Sequence, residues 1–246
     1  MATTARRTGL GLAVATLGLQ IGPAGTWLPP VRERLFPRLT SPMAPGMLAL
    51  TFDDGPHPAG TPAVLDALDQ LGWTATFFVL GCEARRHPEL VEEVLRRGHQ
   101  IGVHGYEHRY LIARTPWAAA LDLQRSVDAV AAVTNARPRW WRPPYGVLSG
   151  PAVLAARRQA VTPLLWSAWG RDWTTTATAA TVVDEAFRGR LDGGTLLLHD
   201  SDITSAPGSW KATAAALPLL AERLADRGIV VTPLGEPNAN PLDARR

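Results

Sequence analysis

The sequence predicts an α/β fold, a single domain built on a parallel sheet of at least seven strands that is closed or nearly closed into a barrel. Two observations carry this. From Leu48 onward, short strand-like runs alternate with helix-like stretches, which is the rhythm of βα units. Five segments also place an Asp, His, Arg or Trp at the end of such a run, and parallel α/β folds gather their chemistry at the carboxyl ends of strands. The chain has 246 residues, enough for one large domain with a substantial core, and that length requires no second one.

In chain order, residues 8–31 carry no charge and follow Arg6 and Arg7, with a short apolar core at 10–21 and small residues at Gly22 and Ala24. This is the layout of a signal peptide over residues 1–28. An uncleaved membrane anchor and an apolar arm packed on the domain are the alternatives. Residues 29–46 contain five prolines and read as a linker. Residues 48–52 suit a buried strand, 63–71 a helix, 75–80 a buried strand, and 88–97 a helix ended by Gly98. Residues 100–104 are strand-like, and Trp117, Leu121, Val127 and Val130 are expected to line one face of a helix opened by Pro116. Short strands follow at 140–142, 164–167, 195–198 and 229–232, with a last helix from about Ser209 to Arg227 and a tail at 236–246.

Composition narrows the function. Hydrophobic residues make up 46% and charged residues 19%, with a net charge of +3, as in an ordinary globular protein. All but one of the 25 basic residues are Arg, but no basic run marks a nucleic-acid surface. The single cysteine, Cys82, excludes an intramolecular disulfide and a thiolate zinc cluster. The single lysine, Lys211, leaves Schiff-base chemistry one residue to rest on, and nothing around it supports that. GxSxG, GxGxxG and GxxxxGK[ST] signatures are all absent.

The first strand ends in Asp53 and Asp54, followed by Gly-Pro. Side chains alternate along a strand, so the two acids face different ways unless the backbone turns, and two acids then have two tasks. Asp before Gly is also ordinary turn chemistry, and this stretch alone leaves both readings open. His104 and His108, four residues apart, would share one face of a helical turn and could ligate one metal; one carboxylate completes a two-His, one-carboxylate site. Arg142 ends an aromatic strand before Pro-Pro-Tyr-Gly, placed to hold a carboxylate in a bidentate pair. The rigid turn offers a backbone N–H to an oxyanion. His199 ends a further strand, and Asp172, within a Trp-rich segment, could orient it. The nine Trp residues suit sugar faces as well as plain packing. Together these segments favour metal-assisted hydrolysis.

The ordered motifs TFDDG, HGYEH, RPPYG, GRDW and LLLHD resemble those of the polysaccharide deacetylases, the NodB-homology domain of carbohydrate esterase family four, over residues 47–235. The resemblance implies a distorted (β/α) barrel of seven or eight parallel strands and one divalent metal, commonly zinc, with cobalt, manganese and iron as alternatives. It implies removal of N-acetyl groups, occasionally O-acetyl groups, from sugars; with the leader, the expected substrate is an extracytoplasmic cell-wall or chitin-like glycan and the chain a secreted or membrane-anchored monomer. Position by position, it makes Asp53 the general base, Arg142 its partner and His199 the general acid tuned by Asp172. Asp54, His104 and His108 become the metal ligands. The Tyr145 N–H joins the oxyanion site, and Trp173 and Leu197 wall the acetyl pocket. The family usually has Ser or Thr where this chain has Gly105, which predicts a looser ligand loop. A lipid-linked glycan is an alternative substrate. A glycan-binding module without turnover is the alternative of another class.

Overall fold

Leu48 to Phe52 is an uncharged run with Thr51 its one polar side chain, so it suits cover on both faces at the centre of a sheet. The computed structural model describes residues 18–235, and within it this run lies in β1 (Met47–Asp53), buried from Leu48 onward. In chain order the elements are α1 (Pro29–Leu35), β1, α2 (Gly60–Leu71), β2 (Thr76–Val79), α3 (Gly81–Arg86), α4 (Pro88–Arg96) and β3 (Gln100–Val103). There follow α5 (Pro116–Thr134), β4 (Trp140–Trp141), α6 (Gly150–Arg158), β5 (Thr162–Pro163), β6 (Ala168–Trp169), α7 (Ala179–Ala186), β7 (Thr195–His199), α8 (Trp210–Ala225) and β8 (Val230–Thr232).

Every strand pair is parallel, and the order is β5-β4-β3-β2-β1-β7-β6, with β8 beside the amino half of β1. The sheet curls into an open half-barrel, a distorted (β/α) barrel in a single domain. Its edges β5 and β6 are not paired with each other among the described residues. Leu39 enters this seam: its carbonyl accepts the Leu165 N–H at 2.6 Å, and its side chain is fully buried. Helices cover the outside through apolar stripes such as Val64, Leu65 and Leu68 on α2, which stops at a left-handed Gly72. Helix α5 begins at Pro116, and the Thr115 hydroxyl accepts the Ala118 N–H at 3.3 Å.

Three expectations change. Residues 164–167 are not a strand but the crossing between β5 and β6, and Arg142 takes up the Leu165 carbonyl at 3.1 Å there. On α5 the buried face carries Ala119, Leu123, Val127 and Val130, whereas Trp117 and Leu121 are exposed. A helix turns 100° per residue, so positions 117 and 121 cannot share a face with 127 and 130. The Pro-rich stretch 29–46 folds onto the domain as α1 and a 3₁₀ turn (Pro37–Leu39), with Leu39 and Thr40 buried. The proposed leader up to residue 17 and the tail at 236–246 lie outside the described residues. No helix among the described residues is long and apolar enough to cross a membrane.

Candidate active site

Strand register decides which side chains meet. Asp53 pairs with Phe78 on one side and His199 on the other, so the last residues of β1 and β7 share one rim, with the loop after β3 close by. At Asp54 the backbone leaves the strand with φ 72°, in the left-handed region, and this turn separates the two acids.

Asp53 turns to Arg142. The guanidinium is fully buried: Nη1 reaches Asp53 Oδ1 at 2.6 Å and Thr51 Oγ1 at 2.9 Å, while Nη2 donates to the Leu165 carbonyl at 3.1 Å. The contact is therefore through one nitrogen, not the expected bidentate pair, because the barrel seam claims the other. Burial lowers the pKa of Arg142, though an arginine remains charged. Its Cζ lies 4.2 Å from the centre of the Phe78 ring.

Asp54 turns to the histidines. Its Oδ1 lies 3.2 Å from His104 Nε2 and 3.4 Å from His108 Nε2, and its Oδ2 accepts from the Thr204 hydroxyl. Burial alone would raise its pKa, but the close approach of His104 and the charge of the three nearby imidazoles hold it below the usual carboxylate range. Burial likewise opposes the charge on His104, and Asp53 and Asp54 outweigh it, so that pKa rises. In His108, burial and the neighbouring His104 prevail, lowering the pKa to about 4.

The three residues fit a divalent cation. One ligand atom from each of Asp54, His104 and His108 lies within 4.8 Å of the others, and Asp54 Oδ1 is buried without a hydrogen-bond partner. His104 Nδ1 donates to the Arg142 carbonyl at 2.9 Å, which leaves the Nε2 lone pair facing the cluster. Two imidazoles and a carboxylate suit zinc and its neighbours.

The two histidines do not lie on a helical turn, as their spacing suggested. They are joined by a loop with left-handed backbone at Gly105 (φ 89°) and His108 (φ 50°). Nor does Gly105 leave the loop unbraced. Its carbonyl accepts from Gly81 N and Ser126 Oγ, each at 2.9 Å, and Asp122 Oδ2 accepts the Tyr106 N–H at 3.0 Å. A Cβ at position 105 would lie 3.0 Å from Pro144 Cγ and 3.2 Å from Asp122 Oδ2, so glycine suits both the φ and the space.

Opposite the cluster, Asp172 Oδ1 lies 2.8 Å from His199 Nδ1 and Oδ2 accepts the His199 N–H at 2.7 Å; Thr213 also donates to Oδ2 at 2.7 Å. Burial disfavours the imidazolium, but Asp172 outweighs it and the His199 pKa rises to about 9. His199 Nε2 points toward the cluster, 3.9 Å from Asp54 Oδ2. Asp200 turns away to accept from Thr61 Oγ1 at 2.5 Å, and burial pushes its carboxyl up to about 7.

These groups open into a cleft of about 290 Å³ also lined by Tyr145, Trp173, Leu197 and Thr204. Tyr145 sits in left-handed backbone (φ 59°), with its ring 4.4 Å from His108 and stacked on Tyr110 at 3.7 Å. Trp173 meets His199 edge-on at 5.5 Å. All ten expected site residues thus converge. Sequence reasoning missed Thr51, Thr204, Thr213, Tyr110 and Trp27, which also lines the cleft. The threonines carry no motif, and Trp27 lies in the stretch that reads as a leader.

A curled parallel half-barrel whose rim holds an Arg-paired acid, an Asp-paired histidine and a carboxylate–bis-histidine cluster is the architecture of a hydrolase. The polysaccharide deacetylase family profile matches residues 40–164. A chitooligosaccharide deacetylase of Sinorhizobium fredii is 34% identical over 195 residues, 75% of this chain and 88% of that protein. The peptidoglycan-N-acetylglucosamine deacetylase PgdA of Listeria monocytogenes is 34% identical over 181 residues, 74% of this chain but 36% of that longer protein. The solved structure of the Bc1960 peptidoglycan N-acetylglucosamine deacetylase superimposes with a TM-score of 0.72 at 28% identity, covering 80% of this chain and 89% of the other. The chain belongs to the polysaccharide deacetylase family.

Proposed function

We propose that the chain is a metal-dependent hydrolase that removes N-acetyl groups from an N-acetylglucosamine-containing polysaccharide of the peptidoglycan or chitin type. The observation that carries this reading is the division of labour at the end of β1: Asp53 is paired with Arg142, and Asp54 with two histidines. A divalent cation on Asp54, His104 and His108, zinc by its donor set, supplies Lewis-acid polarisation of the acetyl carbonyl and acidifies water.

Asp53, kept ionised by Arg142, takes the proton from the attacking water. Tyr145 offers its backbone N–H to the oxyanion from a turn set by Pro143 and Pro144. His199, held by Asp172, gives its Nε2 proton to the departing nitrogen as the carbon–nitrogen bond breaks, leaving acetate and a free amine. Trp173 and Leu197 enclose the methyl group. The uncharged apolar stretch that follows Arg6 and Arg7 supports a site of action outside the cytoplasm, and the proposal takes the chain as a secreted or anchored monomer.

Acetate release from N-acetylated chito-oligosaccharides, abolished by chelator and restored by zinc, is the expected result. Saturable glycan binding without release under any metal would overturn the reading in favour of a binding module. Release from acetylated xylan alone would replace the amide by an ester.

A further inference from the structure

The active-site cleft continues past Trp169 into a second, larger cleft of about 730 Å³, and the two share Trp27, Trp166 and Trp169. One wall is the N-terminal segment, with Trp27, Arg32 and Glu33; the other is the chain around β6 and the end of α7, with Glu185, Arg188 and Arg190, so three guanidinium groups face two carboxylates. A row of rings joins the two clefts. Trp173, beside His199, meets Trp169 at 5.3 Å, and Trp169 stacks on Trp166 at 5.9 Å. Trp27 is about half exposed across the opening (52%), although so large an apolar ring usually finds cover.

The arginines of this cleft differ in their partners. Arg188 is taken by Glu185 at 2.5 Å. Arg32 donates to the Trp27 carbonyl at 3.0 Å, which ties the ring and the guanidinium to each other, while its Nε is buried without a hydrogen-bond partner. Among the described residues, the Arg190 side chain has the hydroxyl of Ser41 as its hydrogen-bond partner. Among the described residues, neither Arg32 nor Arg190 makes a salt bridge to an acid; Glu33, the next residue on α1, is the acid whose charge acts on Arg32. An aromatic face beside guanidinium groups without carboxylate partners is complementary to a sugar ring bearing a carboxylate: the ring stacks on the Trp face and the fork binds the acid.

We propose that this second cleft holds a carboxylate-bearing sugar of the glycan whose acetylated neighbour lies in the catalytic cleft, so that the substrate is an anionic glycan. The inference rests on the reading of the first cleft as a glycan deacetylase site. The test is calorimetric titration of the full chain, freed of metal by chelator to prevent turnover, at low salt. The probe is a peptide-free tetrasaccharide of alternating N-acetylglucosamine and N-acetylmuramic acid, whose lactyl groups are carboxylates, compared with its methyl ester.

The acid is expected to bind about tenfold more tightly than the ester, the scale of one charge-assisted hydrogen bond. Arg190→Gln, at an exposed position, and the Arg32→Gln, Arg190→Gln double variant should lose that preference while keeping their melting transition. Equal binding of acid and ester by the intact chain, or a preference retained in Arg190→Gln and in a folded double variant, overturns the proposal. Acetate release from neutral chito-oligosaccharides separates the two readings. Release without any acid preference sinks the second cleft and leaves the deacetylase. An Arg-dependent acid preference without release from any glycan retains the cleft's ligand and sinks the deacetylase.

Discussion

Replacing Asp172 by Asn keeps an oxygen able to accept the His199 N–H and the Thr213 hydroxyl but removes the charge beside His199 Nδ1. That charge is what raises the His199 pKa from 6.5 to about 9 against the opposing effect of burial. An acid catalyst must carry its proton, so at pH 8 roughly nine-tenths of the native protein is competent, against about one-thirtieth if the value returns to that of an ordinary histidine. The expected result is a loss of roughly thirtyfold in kcat/KM at pH 8, recovered in large part near pH 6. A cation on Asp54 would pull the alkaline limb of both proteins down together, so the separation of the two limbs is the readout. The same pair bears on stability. The folded value lies above the unfolded one, so its contribution is complete below about pH 6.5 and is lost as the pH rises through about 9. Thermal melts across that range should show the native protein losing an advantage over Asp172→Asn. Coincident alkaline limbs in the two proteins would refute the assignment of His199 as the acid held by Asp172.

Asp53→Asn should lower acetate release by about 10²–10⁴-fold while calorimetry still detects zinc binding, because the proposed ligands are other residues; near-native turnover contradicts the base assignment. Gly105→Ala forces a side chain into φ 89° and against Pro144 and Asp122. A strain of roughly 1–3 kcal/mol should appear as weaker zinc binding in calorimetry and a lower melting temperature, and unchanged values would show that the loop does not need glycine. Leu39→Ala, at a fully buried position in the barrel seam, should cost about 2–5 kcal/mol in a denaturant titration. A loss below 1 kcal/mol would show that the N-terminal segment is peripheral to the fold.

The sequence alone determined the rhythm of the sheet and the chemical cast. Uncharged runs such as 48–52 suit central strands, and an Asp, His or Arg at the end of such a run emerges at the rim, because strand direction is shared in a parallel sheet. Local spacing was enough for that. Where partners came from distant segments, local spacing was silent. Nothing near Arg142 tells that one of its nitrogens serves the Leu165 carbonyl, nor does anything near Gly105 tell that Ser126 and Asp122 on α5 brace the histidine loop. A four-residue histidine spacing suits a helix, and only the left-handed backbone at Gly105 and His108 makes it a loop. Thr204 and Trp27 reach the cleft from segments with no motif, one beyond β7 and the other in an apolar stretch that composition assigns to a leader. Residue types and their order along the chain are local properties, legible from sequence, and the family resemblance anticipated Asp53 beside Arg142 and Asp54 beside the histidines; the contacts across the barrel are a property of the packed structure, in which the left-handed turn at Asp54 is what sends the two acids to those different neighbours.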